Sequence, residues 1–123
     1  MIVFPELYFP EVDHELLERI RAFAAECRLT LVFGGIEKEE GKVYDTAWLI
    51  EYDRICKYRK THVHWTEDYE PGSELPVFDT SIGKVGLLVC YDSTFIETSR
   101  ILALKGAEII VILAAVPARF DVK

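Results

Sequence analysis

The stretch around Cys90 constrains the fold more than any other part of the chain, because it carries a buried strand into a helix. Residues 85–89 form an apolar run of strand length, and residues 95–105 repeat apolar side chains at helical spacing. A further apolar run at residues 108–114 predicts a strand that is buried on both faces. Strand, helix and strand in this order predict a right-handed βαβ crossover with Cys90 at its first turn.

A cysteine at such a joint has two properties that suit chemistry. It faces the mouth of the sheet, where ligands of open α/β folds usually bind. It also lies near the positive end of the following helix, which favours the reactive thiolate. The competing interpretation is that Cys90 is a small apolar core residue, the commoner situation of a cysteine.

The rest of the chain predicts a strand, a helix and a meander before this unit. Residues 1–4 are a short apolar strand ended by a proline, and Asp13 can cap the helix that follows. Residues 30–36, 43–52 and 55–59 are strand-like and joined by short turns, so the sheet is expected to be mixed. The apolar stripe of the helix, expected to pack on the core, contains Leu16, Leu17, Ile20, Phe23, Ala24 and Cys27.

Three further features concern connections. Gly34 and Gly35 lie inside a predicted strand, where the backbone must bend or let another segment come close. Residues 77–80 and 84–89 predict a hairpin that leads to the cysteine. Residues 62–72 form a long loop dense in aromatic and acidic side chains, and such loops are more often functional than idle.

Composition narrows the classes of function. The net charge of −7 argues against nucleic acid as a partner, since its binding needs clustered positive charge. No apolar run is long enough to span a bilayer, and the opening residues lack the features of a signal peptide, so a cytoplasmic protein without a membrane partner is expected.

The cysteines and histidines predict neither a disulfide framework nor a metal site. Cys27, Cys56 and Cys90 are an odd number of cysteines without the spacing of a zinc knuckle. His62 and His64 stand two residues apart in a loop with no cysteine nearby, which is a poor metal-binding pattern. We therefore expect reduced thiols and no metal.

Three reactive side chains each follow directly on a predicted strand: Glu6, Lys60 and Cys90. If these strand ends share one edge of the sheet, the three side chains can meet in one pocket. They would then supply a thiol nucleophile, a carboxylate to take its proton and a cation for the oxyanion, which are the parts that acyl transfer needs. Judged singly, Glu6 reads as a solvated loop acid and Lys60 as a surface charge.

At these residues the chain resembles a family. The motifs Phe4-Pro5-Glu6, Tyr58-Arg59-Lys60-Thr61-His62 and Val89-Cys90-Tyr91-Asp92 look like the three motifs of the nitrilase, or carbon–nitrogen hydrolase, superfamily, in the family's order. Pro71-Gly72 and the segment after the cysteine are also similar. The resemblance therefore covers nearly the whole chain.

The resemblance implies a portion of an α-β-β-α sandwich, with a mixed sheet and helices packed on one face. It also implies a thiol hydrolase without metal or organic cofactor. Cys90 would attack the substrate, Glu6 would act as base and then acid, and Lys60 would stabilise the oxyanion together with the backbone N–H of Tyr91. A second glutamate of the family orients the lysine and the substrate, and Glu67 matches it best.

Some assignments stay open at this point. Glu70 is the alternative to Glu67, and either could be only a solvated loop acid. Cys90-Tyr91-Asp92 resembles the amidase and carbamoylase members, so a small-molecule amide or N-carbamoyl compound is the expected substrate. Asp92 and Glu97 are expected to be structural, bonding to the backbone or to Arg100.

The chain is shorter than the family's domain. Residues 1–123 would form a single partial domain that lacks the family's first strand and helix and its C-terminal part. Apolar strand faces would then be exposed, which favours a homo-oligomer or a completing chain. Two other hypotheses stay in view: a catalytically incompetent remnant or assembly module, and a doubly wound binding domain in which Cys90 is only core.

Overall fold

Two β-sheets lie face to face at the centre of the fold. In the computed structural model, which describes residues 1–116, the first sheet contains β1 (Ile2–Val3), β2 (Thr30–Glu39), β3 (Lys42–Glu51) and β4 (Arg54–Arg59), in that order. The second contains β5 (Val77–Thr80), β6 (Gly83–Val89) and β7 (Ile109–Leu113). The helices are α1 (His14–Cys27) and α2 (Ile96–Leu104), and neither is long and apolar enough to cross a membrane.

The strand pairings confirm the predicted topology. Strands β2, β3 and β4 form an antiparallel meander, and β1 runs parallel to β2 at the edge of the same sheet. Strands β5 and β6 form the expected hairpin. Strand β7 lies parallel to β6 with α2 between them in the chain, so the predicted βαβ connection is present.

The apolar faces of the sheets give four layers. Between the sheets, alternate residues of both interdigitate: Val32, Ala47, Leu49, Tyr58, Val85, Leu87, Val89, Val111 and Leu113. On the outer face of the first sheet, α1 covers Leu31, Phe33, Trp48 and Ile50. On the outer face of the second sheet, Leu102 of α2 lies against Gly86 of β6. Burying each large apolar side chain contributes about 1.5–3 kcal/mol, so the layers stabilise one another.

Two expectations about burial are wrong. Cys27 is exposed and Phe23 is 53% exposed, because α1 rests on the sheet along a narrow line and only Ala24 of this helix is fully buried. Strand β7 is not buried on both faces, since Ile112 is 49% exposed. β7 lies at the edge of its sheet, and among the described residues its outer face is only partly covered.

The two glycines of β2 allow a close approach, as predicted. A Cβ atom at Gly34 would lie 2.8 Å from Cα of Glu6 and 2.9 Å from N of Leu7. A Cβ atom at Gly35 would lie 3.0 Å from the carbonyl oxygen of Phe9. The segment after β1 therefore crosses β2 in direct backbone contact, and this contact positions Glu6.

Asp92 joins the exits of β4 and β6, which belong to different sheets. Its buried carboxylate accepts hydrogen bonds from the Tyr58 hydroxyl at 2.7 Å, from His62 N at 2.8 Å and from Val89 N at 3.0 Å. The Thr61 hydroxyl adds a fourth at 3.1 Å. The expected bonding to backbone is confirmed, and within residues 1–116 these partners take the place of Arg100.

We predict that Gly34→Ala destabilises the protein by about 3 kcal/mol or more, because its new methyl group would overlap backbone atoms that cannot move aside. Gly41→Ala is the comparison, since Gly41 has open space around it and only a positive φ of 78°. It should cost about 1–2 kcal/mol. Denaturant unfolding of both variants measures the difference, and equal losses would contradict the close approach.

We predict that Asp92→Ala costs about 3 kcal/mol or more, because it removes the buried carboxylate that accepts hydrogen bonds from two backbone N–H groups and from the hydroxyls of Tyr58 and Thr61. The matched control is Asp79→Ala. Its side chain is 79% exposed and, among the described residues, its carboxylate pairs only with Lys84, so the change should stay within about 0.5 kcal/mol. Urea unfolding curves of the two variants provide the comparison. A loss of unfolding free energy in Asp92→Ala no larger than in Asp79→Ala would show that the Asp92 hydrogen bonds do not hold the two sheets together.

Candidate active site

The three side chains at the strand ends meet in one place. Lys60 follows β4, and its Nζ lies 2.9 Å from Oε1 of Glu6. Both side chains are almost completely buried. Cys90 follows β6 and lies half-buried near Glu6, and both residues line the same cavity. The structure thus brings together Glu6, Lys60 and Cys90, which are far apart in sequence.

Backbone contacts fix the loop that carries Lys60. Its backbone N–H donates to the carbonyl of Asp45 at 2.9 Å, and its own carbonyl accepts from Gly72 N at 2.8 Å. Gly72 lies so close to β4 that an added Cβ would overlap the Arg59 carbonyl oxygen. The two ends of the loop from residue 60 to residue 72 are therefore in contact, and Glu67, inside the loop, lies against Lys60.

Glu67 is the second glutamate that contacts the lysine. Its two carboxylate oxygens lie 2.9 and 3.0 Å from Nζ of Lys60. Glu70 instead uses its backbone N–H to bind the carbonyl of Val43 at 2.8 Å, and within residues 1–116 its carboxylate is not among the contacts of Lys60. The geometry therefore favours Glu67 of the two candidates.

The charges of Lys60 and Glu6 stabilise each other. Burial alone would lower the pKa of Lys60, but its hydrogen bonds to Glu67 and Glu6 outweigh burial, and the pKa is raised. Burial likewise opposes ionisation of Glu6, but its interactions with Asp45 and Lys60 outweigh burial, and the pKa of Glu6 is lowered. At neutral pH Lys60 is a cation and Glu6 an anion.

Cys90 is held in an unusual backbone conformation. Its φ of 42° is in the left-handed region, which costs a non-glycine residue energy and often marks a functional turn. Cys90 is the first residue of a 3₁₀ turn, Cys90–Thr94. The Cys90 carbonyl accepts a hydrogen bond from the Ser93 hydroxyl at 2.7 Å. The strand-to-helix joint is therefore a tight turn and not a direct start of α2.

The expected activation of Cys90 by a helix terminus is wrong. Helix α2 begins only at Ile96, beyond the 3₁₀ turn. Burial and the Glu6 carboxylate raise the pKa of the Cys90 thiol, and Lys60 offsets this only in part. The resting side chain is a thiol next to a carboxylate, an arrangement in which a base takes the proton during attack.

Asp45 and the backbone of Ala115 are parts of this site that sequence reasoning missed. Asp45, on β3, lies fully buried with Oδ2 3.6 Å from Nζ of Lys60. Ala115, just after β7, donates its N–H to Oε2 of Glu6 at 2.9 Å. A signal for Asp45 exists in the sequence, since it alternates with Ala47 and Leu49 on the inward face of its strand.

Carboxylate oxygens of Glu6, Asp45 and Glu67 lie within 4.8 Å of one another, a spacing that a cation could bridge. The Lys60 ammonium already lies 2.9, 3.6 and 2.9 Å from oxygens of these three side chains. A protein cation therefore occupies the centre of the cluster.

A cleft of about 640 Å³ opens over Glu6, Glu67 and Cys90, and its volume is within the size range of small-molecule sites. Tyr91 lies on its wall with its ring against His64, at 4.8 Å between ring centroids. Trp65 stands at the rim and is 84% exposed. The remaining lining residues are Glu6, Leu7, Thr66, Glu67, Tyr69, Cys90, Thr94, Ala115 and Val116.

Comparison with known proteins identifies the family. The family model for carbon–nitrogen hydrolases matches residues 1–122. The chain is 32% identical over 122 residues to the human omega-amidase NIT2, an alignment that covers 88% of this chain and 44% of the relative. It therefore spans less than half of that relative's length.

Solved structures agree. A carbon–nitrogen hydrolase from Helicobacter pylori is 34% identical with a TM-score of 0.73, over 83% of this chain and 39% of that one. Saccharomyces cerevisiae Nit3, of the nitrilase superfamily, shares the fold with a TM-score of 0.79 at 23% identity, over 96% of this chain and 52% of that one. Because the family model matches nearly every residue and the fold agrees, the protein belongs to the carbon–nitrogen hydrolase family.

Proposed function

We propose that the protein hydrolyses a non-peptide carbon–nitrogen bond of a small molecule, an amide or an N-carbamoyl group, through a thioester on Cys90. The observation that supports this most is the buried Lys60–Glu6 pair at 2.9 Å, beside a cysteine at the mouth of a cleft. These groups supply a nucleophile, a base and a cation, and no metal or organic cofactor is needed for the reaction.

Glu6 acts as the base in this proposal. Its lowered pKa keeps it ionised at neutral pH, and its place beside Cys90 in the cleft lets it take the thiol proton as sulfur attacks the carbonyl carbon. The same proton then goes to the departing amine or ammonia, which leaves a thioester. Glu6 next deprotonates the water that hydrolyses the thioester and frees the thiol.

Lys60 and the backbone N–H of Tyr91 stabilise the oxyanion of the tetrahedral intermediate. All three N–H bonds of the Lys60 ammonium point at Glu6 and Glu67, but two of them go to the same Glu67 carboxylate. One can therefore turn to the oxyanion while both glutamates keep a partner. Glu67 orients the lysine and, being partly exposed at the cleft, can also contact the substrate.

Of the two substrate classes, the comparison favours amides, since the similar human protein is an omega-amidase. The cleft wall adds aromatic side chains, Trp65, Tyr69 and Tyr91, which can cover an apolar or planar substrate body. A small amide with such a body is therefore the substrate that we propose to test first.

The alternative is a non-catalytic assembly module of the same fold, in the cytoplasm, joined to a second copy or a completing chain. Exposed apolar side chains at the sheet edges favour association: Ile2 and Val3 of β1 are each 45% exposed, and Ile112 of β7 is 49% exposed. Activity measurements separate this alternative from the enzyme.

We predict that Cys90→Ala abolishes ammonia release from a panel of small amides and N-carbamoyl amino acids, and that Glu6→Gln lowers kcat by about 10²–10⁴-fold. Cys27→Ala, which alters an exposed cysteine on α1, and Lys84→Met, which alters an exposed lysine, should retain full activity. Unfolding curves verify that each variant is folded. Unchanged release in Cys90→Ala would refute the mechanism, and a folded wild type without any release would favour the assembly module.

We predict that Glu6→Gln moves the alkylation profile of Cys90 to lower pH. Burial and the Glu6 charge together raise the pKa of the Cys90 thiol, so removing the charge lowers it and makes the thiolate available earlier. The measurement is the rate of iodoacetamide modification of each cysteine against pH, read by peptide mass spectrometry. Exposed Cys27 is the internal control and should not respond. An unmoved Cys90 profile would contradict the contact with Glu6.

A further inference from the structure

Asp45 is the carboxylate of the buried charge cluster to which residues 1–116 donate no hydrogen bond. The Lys60 ammonium directs its three bonds to Oε1 of Glu6 and to both oxygens of Glu67. Oδ2 of Asp45 lies 3.6 Å from the same nitrogen, and neither oxygen of Asp45 has a donor within residues 1–116. A fully buried carboxylate without a donor is unfavourable in its charged form.

The charge balance of the cluster requires a proton. Three carboxylates around one ammonium would leave two uncompensated negative charges in a buried place if all of them were ionised. Glu6 has the Lys60 ammonium and the Ala115 N–H as donors. Glu67 takes two bonds from Lys60 and is 23% exposed. Asp45 has neither a donor nor access to water, so the proton belongs on Asp45.

We propose that Asp45 is a positioning residue: it keeps its proton at neutral pH and donates it to the carboxylate of Glu6, which holds Glu6 as an aligned anion beside Cys90. The assignment of a proton to Asp45 rests on the geometry alone. The role of Asp45 in aligning Glu6 rests in addition on the proposed function of Glu6. A carboxylic acid that donates in this way satisfies its own buried O–H and gives Glu6 a third donor besides Lys60 and Ala115.

The surroundings of Asp45 agree with this assignment. The groups facing it are Glu6 after β1, Lys60 after β4, and Glu67 and Tyr69 in the following loop. Its partner across β2 is the apolar Ile36. Burial and the neighbouring Glu6 carboxylate together raise the pKa of Asp45 to about 8, and the charge of Lys60 opposes this only in part. The interaction with Asp45 also lowers the pKa of Glu6.

The proton on Asp45 can be tested without any enzymatic activity. Between the ordinary pKa of 3.8 and about 8, the folded protein holds a proton on Asp45 that the unfolded chain has lost. Folding is therefore favoured at the acid end of this window, and the stability from this group falls as pH rises. Relative to Asp45→Asn, which cannot titrate there, the unfolding equilibrium constant of the wild type should rise about tenfold per pH unit across this window.

Urea unfolding of the full chain at several pH values between 5 and 7.5 measures this slope. Asp79→Asn, at an exposed position, is the matched control and should keep the wild-type slope. A slope equal in wild type and Asp45→Asn would overturn the proposal, because Asp45 would then be ionised in the folded protein. An excess slope of about one proton supports it.

The alignment of Glu6 by Asp45 is measured separately, as the kcat of ammonia release. Asp45→Asn keeps an N–H donor toward Glu6 and should retain kcat, whereas Asp45→Ala loses the donor and should lower kcat at least tenfold. If Asp45→Ala does not fold, Asp45→Asn alone decides, since a loss of kcat there would refute alignment by hydrogen-bond donation. If Cys90→Ala keeps its activity, the proposed function fails while the unfolding slope still decides the proton on Asp45.

Discussion

The buried ammonium of Lys60 is the interaction on which the site depends. It lies at the end of β4 with Glu6, Asp45 and Glu67 around it, and each of these carboxylates comes from a different segment of the chain. Without a cation at this point, two buried carboxyl groups and a partly buried third could not share so small a space. The same charge that organises the cluster is the charge that a developing oxyanion requires.

This cluster is possible because the two packed sheets hold the ends of β4 and β6 close together. The packed layer between the sheets fixes β4 against β6, and the Asp92 carboxylate ties their exits together through Tyr58, His62 and Val89. Gly34 lets the segment with Glu6 lie directly on β2. Packing therefore gives each reactive group its position, and hydrogen bonds fix its direction.

Much of the fold follows from local pattern. The hairpin at Ser81-Ile82-Gly83, the Asp13 cap and the parallel pairing of β6 with β7 are all predictable, because each depends on neighbouring residues or on a short connection. Burial was less predictable. Cys27 belongs to the apolar stripe of α1 but is exposed, since the width of a helix contact depends on the partner surface and not on periodicity.

The sequence by itself determined which side chains could do chemistry: a cysteine, a lysine and two glutamates, each at a strand end or in the loop beside one, in motifs that resemble one family. Only the tertiary structure decided that Cys90 rests as a thiol, that Glu67 and not Glu70 meets Lys60, and that Asp45 joins the cluster. The reason is physical. Protonation and ion pairing depend on burial and on distances between segments up to 109 residues apart, and no local pattern contains those distances.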